Sequence, residues 1–242
     1  MSYFEFNGHR SDEFGIRIQK KNIYSAPKFD MTLQSIPGKN GDLIVSNKRY
    51  QNVGLSYTCY VVAKTIDELS NKITLIKNWL YRDVDSYHDL TDSYDTKFKR
   101  RAIFNNKLDI SDEVSKIGIF TINFSCKPQR YLITGETIEI YNSSFELINP
   151  YSLSAKPYLK LNGTGIGRLI IQNDKGNFIW SFNDIDEYVE LDSEEMNFFK
   201  GTLLKNSSVE GVGFPELVEG TNVISFDGDI ISVEIVPRWV SL

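Results

Sequence analysis

Apolar residues recur at every second position through most of this 242-residue chain, and at helical spacing in one place only. Phe14, Ile16 and Ile18 alternate with polar neighbours, as do Phe29, Met31 and Leu33, and Val53, Leu55, Tyr57, Cys59 and Val61. This is the pattern of a half-buried strand. A repeat of two puts all of these side chains on one face, so each segment needs sheet partners and a layer to cover that face. Composition points the same way: 26 Ile and 31 Phe, Tyr and Trp stand against 4 Ala, and β-branched and aromatic residues favour strands where alanine favours helix. The fold class is mainly β.

The exception begins at Thr65. Ile66, Leu69, Ile73, Ile76 and Leu80 recur three or four apart with Trp79 beside them, and Thr65 with Glu68 forms a capping box. These residues predict one helix over 65–80. Between the second and third strands, Ile36-Pro37-Gly38-Lys39-Asn40-Gly41-Asp42 holds a Pro-Gly and an Asn-Gly pair, which predict a turn or an extended hairpin arm. Arg82 to Asp95 reads as a polar, turn-rich stretch. Strands resume at Lys97–Phe104 and at Ile117–Cys126, which Pro128 is expected to close. A boundary near residue 130 separates domains 1–130 and 131–242, with a connecting segment over 131–155 that holds a short strand, Thr137–Tyr141. Beyond it come short strands at Tyr158–Leu161, Arg168–Gln172, Phe178–Phe182, Tyr188–Leu191, Asn222–Phe226 and Asp229–Val236, the spacing of an antiparallel sandwich.

Reactive constellations are scarce. The chain has two histidines (His9, His88) and two cysteines (Cys59, Cys126), too few for common zinc sites, a disulfide framework or a Ser-His-Asp triad. Both cysteines fall in apolar alternations and are expected as buried free thiols. Gly163-Thr164-Gly165-Ile166-Gly167 looks like a phosphate loop, but Arg168-Leu169-Ile170-Ile171 after it reads as a strand rather than a helix, so a glycine-rich hairpin connection is expected. Asp83 with Asp85 is expected on a solvated turn, and Asp227-Gly228-Asp229 as a tight hairpin turn. Lys97, Lys99 and Arg101 share one face of their strand, opposite Phe98 and Arg100. The expectation is a structural or binding protein, not an enzyme, with no cofactor and no metal.

Several segments, taken in order, resemble the distal tail protein (Dit) family of long-tailed phages and prophages. They are Ser2-Tyr3-Phe4-Glu5-Phe6-Asn7-Gly8, Ser11-Asp12-Glu13-Phe14-Gly15-Ile16, Ile36-Pro37-Gly38-Lys39-Asn40-Gly41, a helix ending in Trp79-Leu80, and Phe124-Ser125-Cys126-Lys127-Pro128. In the second half come Glu190-Leu191-Asp192-Ser193-Glu194, Phe214-Pro215-Glu216-Leu217, Gly220-Thr221-Asn222 and Val236-Pro237-Arg238-Trp239. Phe198–Ser208 departs from the pattern.

The resemblance implies a first, ring-forming domain of β-sheets with one helix and a protruding hairpin, and a second, galectin-like β-sandwich. It also implies a homohexameric ring at the tail tip of the virion, joining the tail tube to the tail-associated lysin, tail fibre or receptor-binding baseplate proteins, with DNA passing through the channel. The chain is expected to be made in the host cytoplasm, without a membrane partner or specific nucleic-acid binding. Ring contacts are expected on the segment Pro37 to Tyr50, with Pro37, Lys39, Lys48, Arg49 and Tyr50 as candidates. The alternative is a carbohydrate-binding module for host adsorption, with Trp180 and Tyr188 as stacking candidates, although Trp180 shares a strand face with Phe178 and Phe182 and is expected in the core. A glycosidase is disfavoured because no carboxylate pair stands out. The formal net charge of -5 would keep a DNA-conducting ring from gripping the genome, provided the channel shares that sign.

Overall fold

The structure, a computed structural model, describes residues 2–113, 116–133 and 137–242. It divides into two compact units, Met1–Arg130 together with Leu242, and Tyr131–Ser241. The strands of the N-terminal unit are β1 (Phe4–Phe6), β2 (His9–Arg10), β3 (Arg17–Asn22), β4 (Phe29–Gln34), β5 (Leu43–Tyr50), β6 (Val53–Val62), β7 (His88–Asp92), β8 (Asp95–Ile103), β9 (Ile110–Glu113) and β10 (Ile117–Leu132), with helix α1 (Ile66–Leu80) between β6 and β7.

The main sheet of this unit runs β2-β1-β7-β8-β10-β6-β3, with β9 also paired to β10. Along β6 the odd-numbered residues Val53, Leu55, Tyr57, Cys59 and Val61 are all buried, as the alternation requires. Helix α1 starts where the capping residues place it: the Thr65 hydroxyl accepts a hydrogen bond from the Glu68 amide at 3.2 Å, and the Glu68 carboxylate accepts from the Lys64 amide at 2.8 Å. Its buried residues are Leu69, Ile76, Trp79 and Leu80. Trp79 organises the core around them. Its indole N–H donates to the Phe6 carbonyl at 2.9 Å, Phe14 stacks on it at 4.5 Å and Phe4 at 5.7 Å.

Three expectations need correction here. Arg82–Asp95 is not turn throughout, because it contains β7, hydrogen-bonded to β1 on one side and β8 on the other; only Leu90 of this strand is buried, so pairing rather than apolar alternation supports it. Phe14 belongs to a 3-10 turn, Ser11–Phe14, that Gly15 ends at φ 72°, and the strand starts at Arg17. Pro128 does not close β10, which continues to Leu132. The pairing of β10 with β6 ends at Cys126 opposite Val53, so no donor is needed from Pro128 on that side.

The C-terminal unit holds β11 (Ile138–Ile140), β12 (Ser144–Asn149), β13 (Tyr158–Asn173), β14 (Gly176–Ile185), β15 (Tyr188–Asp192), β16 (Asn197–Lys200), β17 (Leu203–Leu204), β18 (Val209–Gly211) and β19 (Gly220–Val236). Two long antiparallel strands, β13 and β19, form its spine. The first part of β13, Tyr158–Asn162, pairs on its other side with β15, and the last part, Gly165–Asn173, with β14. Side chains from both parts, including Leu159, Leu161, Leu169 and Ile171, enter a single core. The sheet is therefore folded over on itself, with β13 and β19 running through the bend.

The bend corrects two further expectations. Gly163–Gly167 is not a hairpin connection and Asp227–Asp229 is not a hairpin turn; each lies inside one of the long strands. The register between β13 and β19 shifts between Asn162 and Gly167, the mark of β-bulges that kink a strand. Odd-numbered residues of β13 face inward on both sides of the bend, so Gly163, Gly165 and Gly167 are the inward positions within it. Backbone takes the space that side chains would need. A Cβ on Gly163 would lie 2.2 Å from the Asp229 carbonyl oxygen, and one on Gly228 would lie 2.4 Å from that of Ile166.

This geometry makes a prediction about stability. Gly163→Ala keeps an ordinary φ yet forces two backbones apart, and overpacking of this kind costs about 1–3 kcal/mol. The exposed neighbour substitution Thr164→Ala should stay within about 0.5 kcal/mol. Urea denaturation of the two variants followed by circular dichroism checks the difference.

Candidate functional site

The segment with the least support from its own unit is the arm formed by β4 and β5, which among the described residues pair only with each other. Its tip is a turn in which the Lys39 amide donates to the Ile36 carbonyl at 3.1 Å. Pro37 and Gly38, the latter at φ 79°, occupy the central positions that a type II turn assigns to Pro and Gly. At the base, Phe29 meets the edge of Tyr50 at 5.0 Å and the Arg49 guanidinium donates to Asp30 at 2.7 Å. That hydrogen bond holds the Asp30 carboxyl below its usual range. Between base and strands the register shifts, and Lys48 sits in this bulge at φ 53° with its amide donating to the Ser46 hydroxyl.

The five candidate residues thus divide by position. Pro37 and Lys39 lie exposed at the tip and Lys48 lies exposed in the bulge, whereas Arg49 and Tyr50 have partners within the arm's own base. Sequence reasoning placed Met31 and Leu33 on the buried face of a strand, where the structure leaves them exposed, and passed over Leu43, Ile44 and Val45. Leu33 stands opposite Ile44, beside Met31 and Ser46 on one face; Thr32 opposite Val45 and Gln34 opposite Leu43 form the other. Ile44 is 63% exposed and Leu33 59%, and Leu43, Val45 and Met31 are exposed as well. The signal was in the chain: three consecutive apolar residues, Leu43-Ile44-Val45, cannot share one face of a strand. An isolated two-stranded hairpin is marginal in water, and this one presents apolar side chains on both sides.

Charge is divided as unevenly as structure. Residues 1–130 carry 20 Lys+Arg and 15 Asp+Glu, and residues 131–242 carry 7 and 17. The N-terminal unit is therefore +5 and the C-terminal unit -10. All of the positive excess is contained in residues 17–50, β3 and the arm, with 7 basic residues against Asp30 and Asp42. The overall sign of the chain is the sign of its second unit only, so the proviso that a channel share that sign is not met by the net charge of the first.

The other candidates for chemistry have ordinary partners. Lys99 and Arg101 reach Asp89 at 2.9 and 3.0 Å. His9 pairs with Glu13 and the His88 ring with the Asp83 carbonyl. Asp227 accepts from Arg168, and Asp229 from the Ile166 amide. Cys59 and Cys126 are free and buried, and burial pushes both thiols up to about 12. Trp180 is 2% exposed. Tyr188 has the ammonium groups of Lys160 and Lys200 over its ring at 4.9 and 5.3 Å.

Motif residues from distant parts of each unit meet in the fold. In the N-terminal unit, Phe4, Phe6 and Phe14 from the two opening segments close on Trp79, and the buried Ser11 hydroxyl accepts from the Phe4 amide. In the C-terminal unit, Arg238 donates through both terminal nitrogens to Asp192, at 2.7 and 2.8 Å. Burial presses the Asp192 carboxyl upward, but the Arg238 hydrogen bonds and the amides of Glu195 and Glu194 outweigh it and hold the group below the usual carboxylate range. Asn222, fully buried, accepts from the Val218 amide and donates to the carbonyls of Val218 and Gly220.

Residues 11–126, which include the arm, match the model of the phage tail protein RIFT-related domain. Over the full length the chain superposes on the crystal structure of the Dit protein (gp 19.1) of phage SPP1, described as a paradigm of the hub adsorption apparatus in phages infecting Gram-positive bacteria. The TM-score is 0.78 and the identity 13%, with 97% of each chain covered. The chain has the Dit fold. A weaker likeness, at a TM-score of 0.45 and 7% identity, is to a chain of the phage P2 baseplate in its activated conformation with Ca, covering 96% of this chain and 100% of that one. No curated protein matches in sequence. The resemblance to the distal tail family holds in the family of the first unit's domain and in the fold of both units.

The Asp192–Arg238 pair predicts an acid-sensitive contribution. Because the carboxyl's folded pKa lies below its unfolded value, the stabilisation is complete above about pH 4 and is lost as pH falls through the folded pKa. Arg238→Met should cost about 2 kcal/mol at pH 7 and should flatten the dependence of melting temperature on pH below about 4, which calorimetry across that range measures.

Proposed function

We propose that this protein is the structural hub of a long-tailed phage tail tip, a distal tail protein whose copies close into a homohexameric ring. In this reading the N-terminal unit forms the ring, and the C-terminal unit is a galectin-like sandwich that meets neighbouring baseplate parts. The ring joins the tail tube to the tail-associated lysin or receptor-binding proteins, and DNA passes through its channel. The role is structural and not enzymatic.

The observation that carries the reading is the arm. Its two faces expose Met31, Leu33, Leu43, Ile44 and Val45, its strands pair with no other strand among the described residues, and the base is fixed by the Arg49–Asp30 pair. A projection that is rigid at its root and apolar on both sides suits insertion between surfaces of an adjacent copy. A closed ring needs such a heterologous contact, in which one patch of each subunit meets a different patch of the next. Six residues of extended strand span about 20 Å, long enough to cross a subunit boundary. Pro37, Lys39 and Lys48 are then the contact residues nearest the tip and bulge, and Arg49 and Tyr50 hold the arm's angle.

Light scattering of the purified chain should give a mass about six times the 27.8 kDa protomer. The double variant Leu33→Lys/Ile44→Lys should give a protomer that melts within about 0.5 kcal/mol of the parent and no longer forms the ring. A hexamer that survives that variant, or survives removal of the tip between residues 36 and 42, would show that the arm is not the contact.

A further inference from the structure

We propose that the N-terminal unit holds a binding site for one monatomic anion of the halide class, seated against the guanidinium group of Arg100. The site lies apart from the arm and does not depend on ring assembly.

Three consecutive basic residues on β8 have different surroundings. Lys99 and Arg101 lie on one face and share Asp89, whereas Arg100 lies on the other and is 7% exposed. Its Nη1 is buried and, among the described residues, has no hydrogen-bond partner. The two carboxylates nearby are engaged by other donors. Asp92 accepts from the Tyr57 hydroxyl at 2.9 Å and from the amides of Tyr94 and Asp95 at 2.8 and 2.9 Å. Asp95 accepts from Arg130 at 3.1 Å. Burial holds the Arg100 guanidinium below its usual range, and the like charge of Arg130 acts in the same direction, while Asp95 offsets only part of this. A guanidinium taken out of water without a counter-ion is costly, and a bound anion removes that cost.

A cavity of about 20 Å³ adjoins Arg100, with Arg130, Tyr57, Asp92 and Asp95 on its polar wall. Leu55 and Leu90 line its apolar side and are buried in the core, so a charge contact there is screened far less than one at the surface. The volume takes one guest of about the size of a water molecule, too little for the four oxygens of phosphate or sulfate. A water of that size would satisfy the Nη1 donor and bring no charge. A halide supplies both the acceptor and the missing negative charge, in a charge-assisted contact, with the Arg130 guanidinium as a second cation on the same wall. Asp92 and Asp95 oppose an anion, but each already shares its charge with its own donors.

Crystals of the full-length protein soaked in sodium bromide test the site directly, because bromide scatters anomalously and water does not. A bromide peak in contact with Arg100 Nη1 is expected. In solution, replacing sodium gluconate by sodium chloride at constant ionic strength, which holds screening fixed, should raise the melting temperature saturably by about 2–4 °C in calorimetry. Arg100→Met should abolish that rise, and Arg101→Met, which removes a surface charge from the same strand, should keep it. A water or a carboxylate of a neighbouring copy in place of bromide overturns the proposal. A bromide peak without the chloride-dependent rise, which is binding at crystal concentration only, overturns it as well, as does a rise that survives in Arg100→Met. Where Arg100→Met does not fold, the bromide peak and the chloride response of the parent protein together decide the question.

Discussion

An antiparallel strand whose side chains alternate has one face that must be covered, and the rest of this structure is a set of answers to that requirement. In the N-terminal unit α1 and the opening segments cover the main sheet, with Trp79 as the place where they meet. In the C-terminal unit the sheet covers itself by folding over. Among the described residues, the arm's strands pair with no other strand and its apolar faces stay exposed. The alternation breaks down there, because Leu43, Ile44 and Val45 follow one another and make both faces apolar. The same rule that closes two cores therefore leaves the arm uncovered.

How a sheet can fold over without breaking its strands is explained by the glycines of β13. The period of two continues through the bend, so residues 159 to 171 keep their odd positions inward, but at 163, 165 and 167 the inward side chain is absent. Two backbones then approach within distances that a Cβ would forbid, and the bulges opposite Gly228 take up the bend. A G-x-G-x-G run in a strand context is thus a packing device rather than a phosphate cradle. It was legible as strand from Arg168 onwards, and misleading as a connection because glycine spacing alone does not distinguish a turn from a kinked strand.

Much of the remaining architecture was readable for the same reason that it is stable. Periodicity located β6, α1 and the paired part of β10, where burial follows side-chain identity directly. It failed at β7, whose strand character comes from partners on both sides, and at Pro128, which lies beyond the reach of β6. The ordered motifs of the distal tail family could be recognised without their purpose being visible, since their residues act in pairs brought together only by the fold. Phe14 with Trp79 and Asp192 with Arg238 are separated by dozens of residues. Those contacts show that the motifs maintain the two cores and their polar borders, consistent with a chain whose function rests on shape and contact rather than on reactive groups.

The uneven charge gives the two units different physical tasks. Copies of the N-terminal unit, each at +5, repel one another, and copies of the C-terminal unit, each at -10, repel more strongly; at physiological ionic strength screening over about 8 Å weakens both effects without removing them. A contact between like units of two copies would therefore have to draw on a non-electrostatic attraction, and the apolar faces of the arm offer one. Most of the positive excess lies on β3 (Arg17, Lys20, Lys21) and at Lys28, whereas the arm carries Lys39, Lys48 and Arg49 against Asp30 and Asp42, so a partner surface for the arm is selected by the arm's apolar faces rather than by charge. The opposite signs of the two units favour contact between unlike surfaces of two copies over contact between like ones, and a contact between unlike surfaces is the kind that can be repeated around a ring.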